Sequence, residues 1–481
     1  MKKIVCFLSI LLVALLVHGK AYALPSGPWV SGVTVANLTN EQANVQITFY
    51  NQDGSVALSF NGGTIPGNAS KTWYLPSHVS GLSSGFIGSA VVSSDKQIAA
   101  IVNTQLPSGS NPARVGTSAG VTTPAETVYA TQIMKNYYGW NSYCAVQNTG
   151  SSAFTVSAFY YDQNGNQVGS ARTQSIPANA SYIFDQSTDS GLPNGFNGSA
   201  KFVGGPSNLL AVVCNFYNAG TGSTDAQFHS YNGMGFGGTT LYVPRVVKDF
   251  YNYQSGLKIQ NIGTEPLTVT ITFNFNGINY TLTSPSIGPG RSWGPYMGDP
   301  SQLAGATPSL LGVSGSGSAV ISVNDPNPNK QIIATINEDN RVNPAGRGVT
   351  YEAGLPSEAS NVIVFPQITS EYYGYSSGWQ VMKIESGTAN CTASYSASGP
   401  IAAFTENFVL SDSNPSFSRF APDAPGMLAG PANDNYNGAV TINCTGAKVI
   451  GISNLSFRYD RDTRYGNLTG DSFTTARGIN K

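Results

Sequence analysis

The chain has 481 residues with 24 Lys plus Arg against 25 Asp plus Glu, and charged side chains make up only 10% of it. Such a balance leaves no basic face for nucleic acid and no polybasic patch for an anionic membrane, so both partner classes are excluded. What remains, 54 Gly, 25 Tyr and abundant Asn, Ser and Thr, supplies a neutral, hydrogen-bonding surface of the kind that suits exported β proteins.

Residues 1–23 read as a signal peptide: "MKK", then the apolar run "IVCFLSILLVALLV", then the small-residue end Ala21-Tyr22-Ala23. Cleavage is expected after Ala23, which places the protein outside the cell or on its surface. The run is shorter than the ~20 residues of a membrane span and no second one follows, so the mature chain has no transmembrane segment. Loss of Lys2, Lys3 and Lys20 takes the formal net charge from −1 to about −4.

Four copies of one pattern follow, and they set the expected domains: 24–118, 119–235, 236–355 and 356–481. Each opens on a strand that runs into a turn: "WVSGVTVANLT", "GWNSYCAVQNTG", "YQSGLKIQNIG" and "GWQVMKIESG". These align Asn37, Asn148, Asn261 and Ser386. An alternating segment ending at a glycine turn comes next ("VQITFYNQDG", "TVSAFYYDQNG", "TVTITFNFNG", "CTASYSASG"), and later a Gly-Ser-Ala or similar element opens another strand. The copies close on "QIAAIVN", "LLAVVCN", "QIIATIN" and "VIGISN", aligning Asn103, Asn215, Asn337 and Asn454. Low-complexity linkers, read as covering loops or part-strands, lead to "TVYATQIMKNYYGW", "TLYVPRVVKDFYNY" and "NVIVFPQITSEYYGY". Helical periodicity is absent. Six or seven short strands in ~110 residues predict an all-β fold of four tandem immunoglobulin-like β-sandwich domains.

Cys6 leaves with the signal peptide and four cysteines remain, which allows three pairings. Cys144 and Cys214 stand in columns that hold Val33, Leu257 and Met382, and Val102, Ile336 and Ser453. Such positions are core positions, so a Cys144–Cys214 bridge across the core of one copy is predicted, with Cys391–Cys444 stapling the fourth copy near its edge. The exported context favours oxidation, and the absence of CxxC argues against a metal site.

Catalytic chemistry finds little support. The mature chain has two histidines, His78 in "LPSHVSG" and His229 in the linker "AQFHSYNG", both read as solvated or capping, and the aligned columns carry no recurring acid. No catalytic residue, cofactor or metal is assigned. The oxygen-rich stretches at 161–167, 325–330, 433–438 and 460–467 read as turns rather than calcium loops. The aromatic clusters are the one binding candidate: Tyr137, Tyr138, Trp140, Tyr251, Tyr253, Tyr372 and Tyr373. Aromatic faces stack on sugar rings, but recurrence in three copies favours packing of each unit, or of its junction with the next, over ligand binding.

The "QNTG" turn, the "YYDQNG" hairpin and the closing "AVVCN" resemble the tandem immunoglobulin-like or fibronectin-type β-sandwich repeats of bacterial secreted and cell-surface proteins. That resemblance implies an architecture and no functional residues. The expected function is non-enzymatic: a surface-layer, stalk or extracellular filament subunit, with an adhesin or carbohydrate-binding array as the alternative. Expected partners are further copies, other surface proteins or glycans. The first copy lacks a leading strand, and the last carries a tail, residues 461–481; two readings stand, a smaller first domain with a disordered tail, or a strand added to the first copy by the tail or by another chain, linking subunits head to tail.

Overall fold

The structure, a computed structural model, describes residues 9–11, 28–107, 110, 113–205, 209–218, 226–340, 347–428, 434–458 and 470–481. The expected cleavage site after Ala23, the first half of the tail and the oxygen-rich stretch at 460–467 lie outside them.

The chain forms four β-sandwiches built to one plan. The first unit has β1 (Ser9–Leu11), β2 (Val30–Asn37), β3 (Ala43–Asn51), β4 (Val56–Ile65), β5 (Ser70–Tyr74), β6 (Gly88–Ser94), β7 (Ile98–Gln105) and β8 (Ala113–Ala119). The second has β9 (Thr127–Lys135), β10 (Trp140–Asn148), β11 (Phe154–Asp162), β12 (Arg172–Ile176), β13 (Ser181–Asp185), β14 (Phe196–Gly204), β15 (Leu210–Asn218) and β16 (Phe228–Asn232). The third has β17 (Thr240–Lys248), β18 (Tyr253–Asn261), β19 (Val269–Phe275), β20 (Ile278–Thr283), β21 (Ser292–Trp293), β22 (Gly315–Val323), β23 (Ile332–Asn340) and β24 (Arg347–Glu352). The fourth has β25 (Val362–Ser370), β26 (Tyr375–Lys383), β27 (Ala389–Tyr395), β28 (Phe404–Leu410), β29 (Ser416–Phe420), β30 (Tyr436–Thr445), β31 (Val449–Phe457), β32 (Gly470–Asp471), β33 (Phe473–Arg477) and β34 (Ile479–Asn480).

In each unit the leading strand pairs with the sixth, which pairs with the third and through it the fourth. The other sheet places the second strand between the fifth and the seventh, with the closing strand beyond the seventh. Period-two alternation builds the first sheet: in β3, Ala43, Val45, Ile47 and Phe49 point inward while Asn44 and Gln46 face solvent. The second and seventh strands are buried on both faces, as in β15, because one face meets the unit's own core and the other a neighbouring unit. Each unit keeps its own apolar core.

One cross-strand slot in that second sheet is filled in four ways. Val33 faces Val102, Cys144 faces Cys214, Leu257 faces Ile336, and Trp379 faces Ser453. The cysteines are bonded, with Cα atoms 4.1 Å apart, the spacing of directly opposed residues on neighbouring strands. The bridge therefore ties two strands of one sheet, rather than crossing the core between sheets. Cys391 and Cys444 are bonded in the same manner on β27 and β30. Those strands lie inside their sheet and the sulfurs face the core, so this pair does not sit at the edge. Trp379 takes the place that the sequence alignment gave to Met382, and its indole donates to Tyr395 Oη at 2.9 Å.

The first asparagine column is a recurring staple. Asn148 Nδ2 donates to the carbonyls of Ser152 (2.8 Å) and Ile176 (2.9 Å), and its Oδ1 accepts from Gly150 N (2.7 Å). Asn261 repeats the set with Glu265, Ile287 and Gly263, and Asn37 with Glu41, Ile65 and Thr39. A buried carboxamide that meets three backbone groups fixes the turn after the strand. In the fourth unit Lys383, not Ser386, occupies this place, donating to Glu385 O at 2.8 Å and pairing with Asp412. Asn261→Ala is expected to lower the stability of the third unit by about 2 kcal/mol, since Glu265 O, Ile287 O and Gly263 N each lose a hydrogen bond to a buried carboxamide. Calorimetry of the variant checks this, and an unchanged melting profile would discard the staple.

The units close on one another around their last strands. β8, β16, β24 and β33 contact each other in a cycle, β8 with β16, β16 with β24, β24 with β33 and β33 with β8. They run in a common direction: Gly470 and Asp471 pair in parallel with Ala113 and Arg114, and His229 meets Thr350 three residues before Asn232 meets Glu352. These strands come from the segments read as linkers and from the tail. The tail is thus not spare: β33 pairs with β31 of its own unit and β34 with β25. The leading strand of one unit also lies on the second sheet of the next. Thr131 bonds Thr335 (2.7 Å), Gln132 accepts from Asn337 (2.8 Å) and Gln367 accepts from Asn103 (2.9 Å).

Candidate functional site: aromatic turns around a polar hub

Three tight turns join the leading strand to the second strand in units two, three and four. In each, the flanking residues exchange both backbone hydrogen bonds: Tyr137 with Trp140, Phe250 with Tyr253, and Tyr372 with Tyr375. Both central residues have positive φ: Tyr138 (47°) and Gly139 (83°), Tyr251 (51°) and Asn252 (66°), Tyr373 (50°) and Gly374 (81°). This is the two-residue hairpin geometry whose usual first residue is Asn, Asp or Gly. Tyrosine there carries a left-handed backbone penalty of about 1 kcal/mol. The three tyrosines are 85%, 80% and 57% exposed. Each stands edge-on against the preceding aromatic ring, with centroids 4.8, 4.7 and 4.7 Å apart.

The seven aromatic candidates therefore divide. Tyr138, Tyr251 and Tyr373 project outward, and half-buried Tyr137 and Tyr372 support two of them, with Phe250 serving the third. Trp140 and Tyr253 point inward: Trp140 packs on Phe216 and His229, and Tyr253 on Phe473. Burial lifts the Tyr253 phenol to about 12. Trp29 and Tyr375 hold the matching place in units one and four, against Phe228 and Phe457. The sequence did carry a signal for the split: each outward Tyr follows an aromatic and precedes Gly or Asn.

The inward residues rest on the hub. Asp471, fully buried, accepts from the backbone N–H of Phe228 (2.9 Å), Gly348 (3.1 Å) and Phe473 (3.3 Å), and so joins strands of units two, three and four. Burial pushes its carboxyl well above the usual range, against the pull of those donors and of Arg347. His229 is buried on β16, not solvated in a linker. Its Nδ1 lies 2.9 Å from Thr350 Oγ1, whose own proton goes to Asn337 Oδ1 (2.6 Å), and its ring stacks on Phe216. Burial lowers its pKa to about 3, so it is neutral. Gly348 is required here, because a Cβ would come within 2.6 Å of the imidazole. One layer on, Thr474 donates to Thr117 at 3.0 Å, and Thr117 to Asn103 at 2.7 Å. His78 acts locally, its Nδ1 accepting from Tyr74 N at 3.0 Å.

The far end of the hub opens into a cavity of about 390 Å³ lined by Asn232, Phe236, Glu352, Glu358 and Arg477 among others. Glu352 accepts from Asn232 N, and burial raises its pKa. Arg477 grips both oxygens of Glu358 at 3.1 and 2.9 Å. Among the described residues no group of three or more His, Cys, Asp or Glu is placed to hold a metal ion, and no helix is long and apolar enough to cross a membrane.

No family model and no curated protein matches the chain. Among solved structures it is similar, at 12% identity over 95% of each chain, to the tetra-tandem repeat in the extending region of a large adhesion protein, with a TM-score of 0.12. Escherichia coli alpha-2-macroglobulin activated by porcine elastase aligns at 9% identity over 98% of this chain and 44% of that one, with a TM-score of 0.10. Scores this low carry no argument about function.

Proposed function

We propose that the protein is an exported, non-enzymatic surface protein that binds a flat apolar or sugar face through Tyr138, Tyr251 and Tyr373. Four immunoglobulin-like units bounded at 24–118, 119–235, 236–355 and 356–481 form its scaffold. The observation that carries this reading is the threefold placing of an exposed tyrosine where the backbone disfavours it. Folding alone favours Asn or Gly at such a position, so the ring is there for what it meets outside. Tyrosine offers a large, rigid contact area at low entropic cost, and three copies on one scaffold add avidity. Two intrachain disulfides support an oxidising compartment, and the expected signal peptide agrees. A closed arrangement of units favours display over the extended stalk.

The test is the triple variant Tyr138→Asn, Tyr251→Asn, Tyr373→Asn. Its stability is expected to hold or rise by up to about 1 kcal/mol per site, as the left-handed penalty is relieved. Its signal on a glycan array and on whole cells is expected to vanish. Retained binding, or a loss of stability, would refute the role of the turns.

A further inference from the structure

In three of the four units the free edge of the sixth strand is covered by a nine-residue leading strand: β9 on β14, β17 on β22, β25 on β30. In the first unit the same edge, β6, meets among the described residues Ser9, Ile10 and Leu11, paired with Val92, Val91 and Ala90. Ala90 and Ala200 are equivalent, since each faces the matching aromatic of the third strand, Phe49 or Tyr160. Residues 9–11 therefore stand where Val128–Ala130 stand in the second unit, and no described residue occupies the place of Thr131–Lys135. All three belong to the apolar run expected to leave with the signal peptide. Once it is gone, no described residue covers this edge of β6 and its row of backbone donors and acceptors.

The neighbouring face of the second unit is closed by a different side chain, with Asn215 and Tyr143 both buried. At two of the other three junctions a glutamine of a leading strand reaches the second asparagine column of the next unit, Gln132 to Asn337 and Gln367 to Asn103, while at the third Arg245 stands in the glutamine's place and pairs with Glu338. Asn215, in that column of the second unit, has its carboxamide oxygen bonded by Ser230 and meets no such glutamine. Tyr143 stands where the other units have Gly32, Gly256 and Gly378, and fills the sheet face between units one and two. A side chain can fill a face but cannot pair an edge of peptide groups.

We infer that the first unit of the exported chain is an acceptor for an extended segment of a partner polypeptide, added antiparallel to β6. The recognised segment alternates, with apolar residues at the places of Val128 and Ala130. A second copy of this chain is the weaker donor, because its leading strands and its tail are already paired within their own units.

The probe is a synthetic peptide of residues 125–136, "AETVYATQIMKN", with a scrambled version of the same composition. The chain from Leu24 onward is studied by amide hydrogen exchange, size-exclusion light scattering and peptide fluorescence anisotropy. Residues 88–94 are expected to exchange faster than 196–204, to slow on addition of the peptide, and to bind it roughly tenfold or more tighter than the scramble. A chain retaining residues 1–23 is expected to bind it less. Protection of 88–94 in a peptide-free monomer, or fast exchange that the peptide leaves unchanged, overturns the inference. Protection found only in an oligomer that the peptide does not disperse also overturns it, by making a second copy the occupant.

Discussion

Asp471→Ala is expected to loosen the closure of the four units while leaving each sandwich folded. The carboxylate accepts backbone donors from β16, β24 and β33, so its loss strands the N–H groups of Phe228, Gly348 and Phe473 in a buried place. Burial of unsatisfied donors at that number costs about 3–5 kcal/mol. Arg114 and Arg347 also lose their nearest buried counter-charge. The expected readout is a larger radius of gyration by small-angle scattering and faster exchange at 228–232, 347–352 and 473–477. Exchange around the two disulfide-bearing cores should not change. Asp471→Asn, which keeps one acceptor oxygen, should fall between the two. A variant as compact and as stable as the parent would remove Asp471 from its structural role.

Acidification should weaken the same hub through His229. Its folded pKa is about 3 against an ordinary 6.5, because burial disfavours the charged ring. A depressed folded value means that the unfolded chain binds the proton first. The stabilisation is therefore full above pH 6.5 and is lost as pH falls toward 3. At about 1.4 kcal/mol per pH unit, moving from pH 7 to pH 4.5 removes about 3 kcal/mol. Glu352 and Asp471 work in the opposite sense, since their raised values make the folded state hold protons more readily, which favours it below neutrality. Comparing the chain with His229→Gln isolates the histidine: urea midpoints of the parent should fall with pH more steeply than those of the variant. Parallel curves would show that the imidazole is not the cause.

Much of the scaffold is legible in the sequence, for a physical reason. Alternation in "VQITFYNQDG" or "TVTITFNFNG" reports a strand with one wet face, and repetition in four copies raises the signal above chance. The asparagine at the end of the second strand is legible as a column because three buried partners leave little choice of side chain. The fourth copy misled the alignment by three residues, since Lys383 with Asp412 does the work of the staple and Ser386 resembles it only in spelling. The hub was not legible. β16 and β33 are five residues each, much of their contact lies between units, and the hub's polar residues, His229 on β16, Thr350 on β24, Asp471 on β32 and Thr474 on β33, spell a linker when read alone. Pairing between distant short strands leaves no periodic trace in either one. For the aromatic turns, the residues were visible and their directions were not, because inward Trp140 and outward Tyr138 differ only in backbone handedness.

The position of β33 along the chain sets a schedule. A ribosome or a translocation channel delivers residues in order, and the segment that shuts the circle, with Asp471 just ahead of it, comes after every other hub strand. The first three sandwiches can therefore mature, and each sulfur pair oxidise, on a polypeptide still open like an unfastened bracelet. Fastening waits for residues 470–477, which follow every other hub strand along the chain.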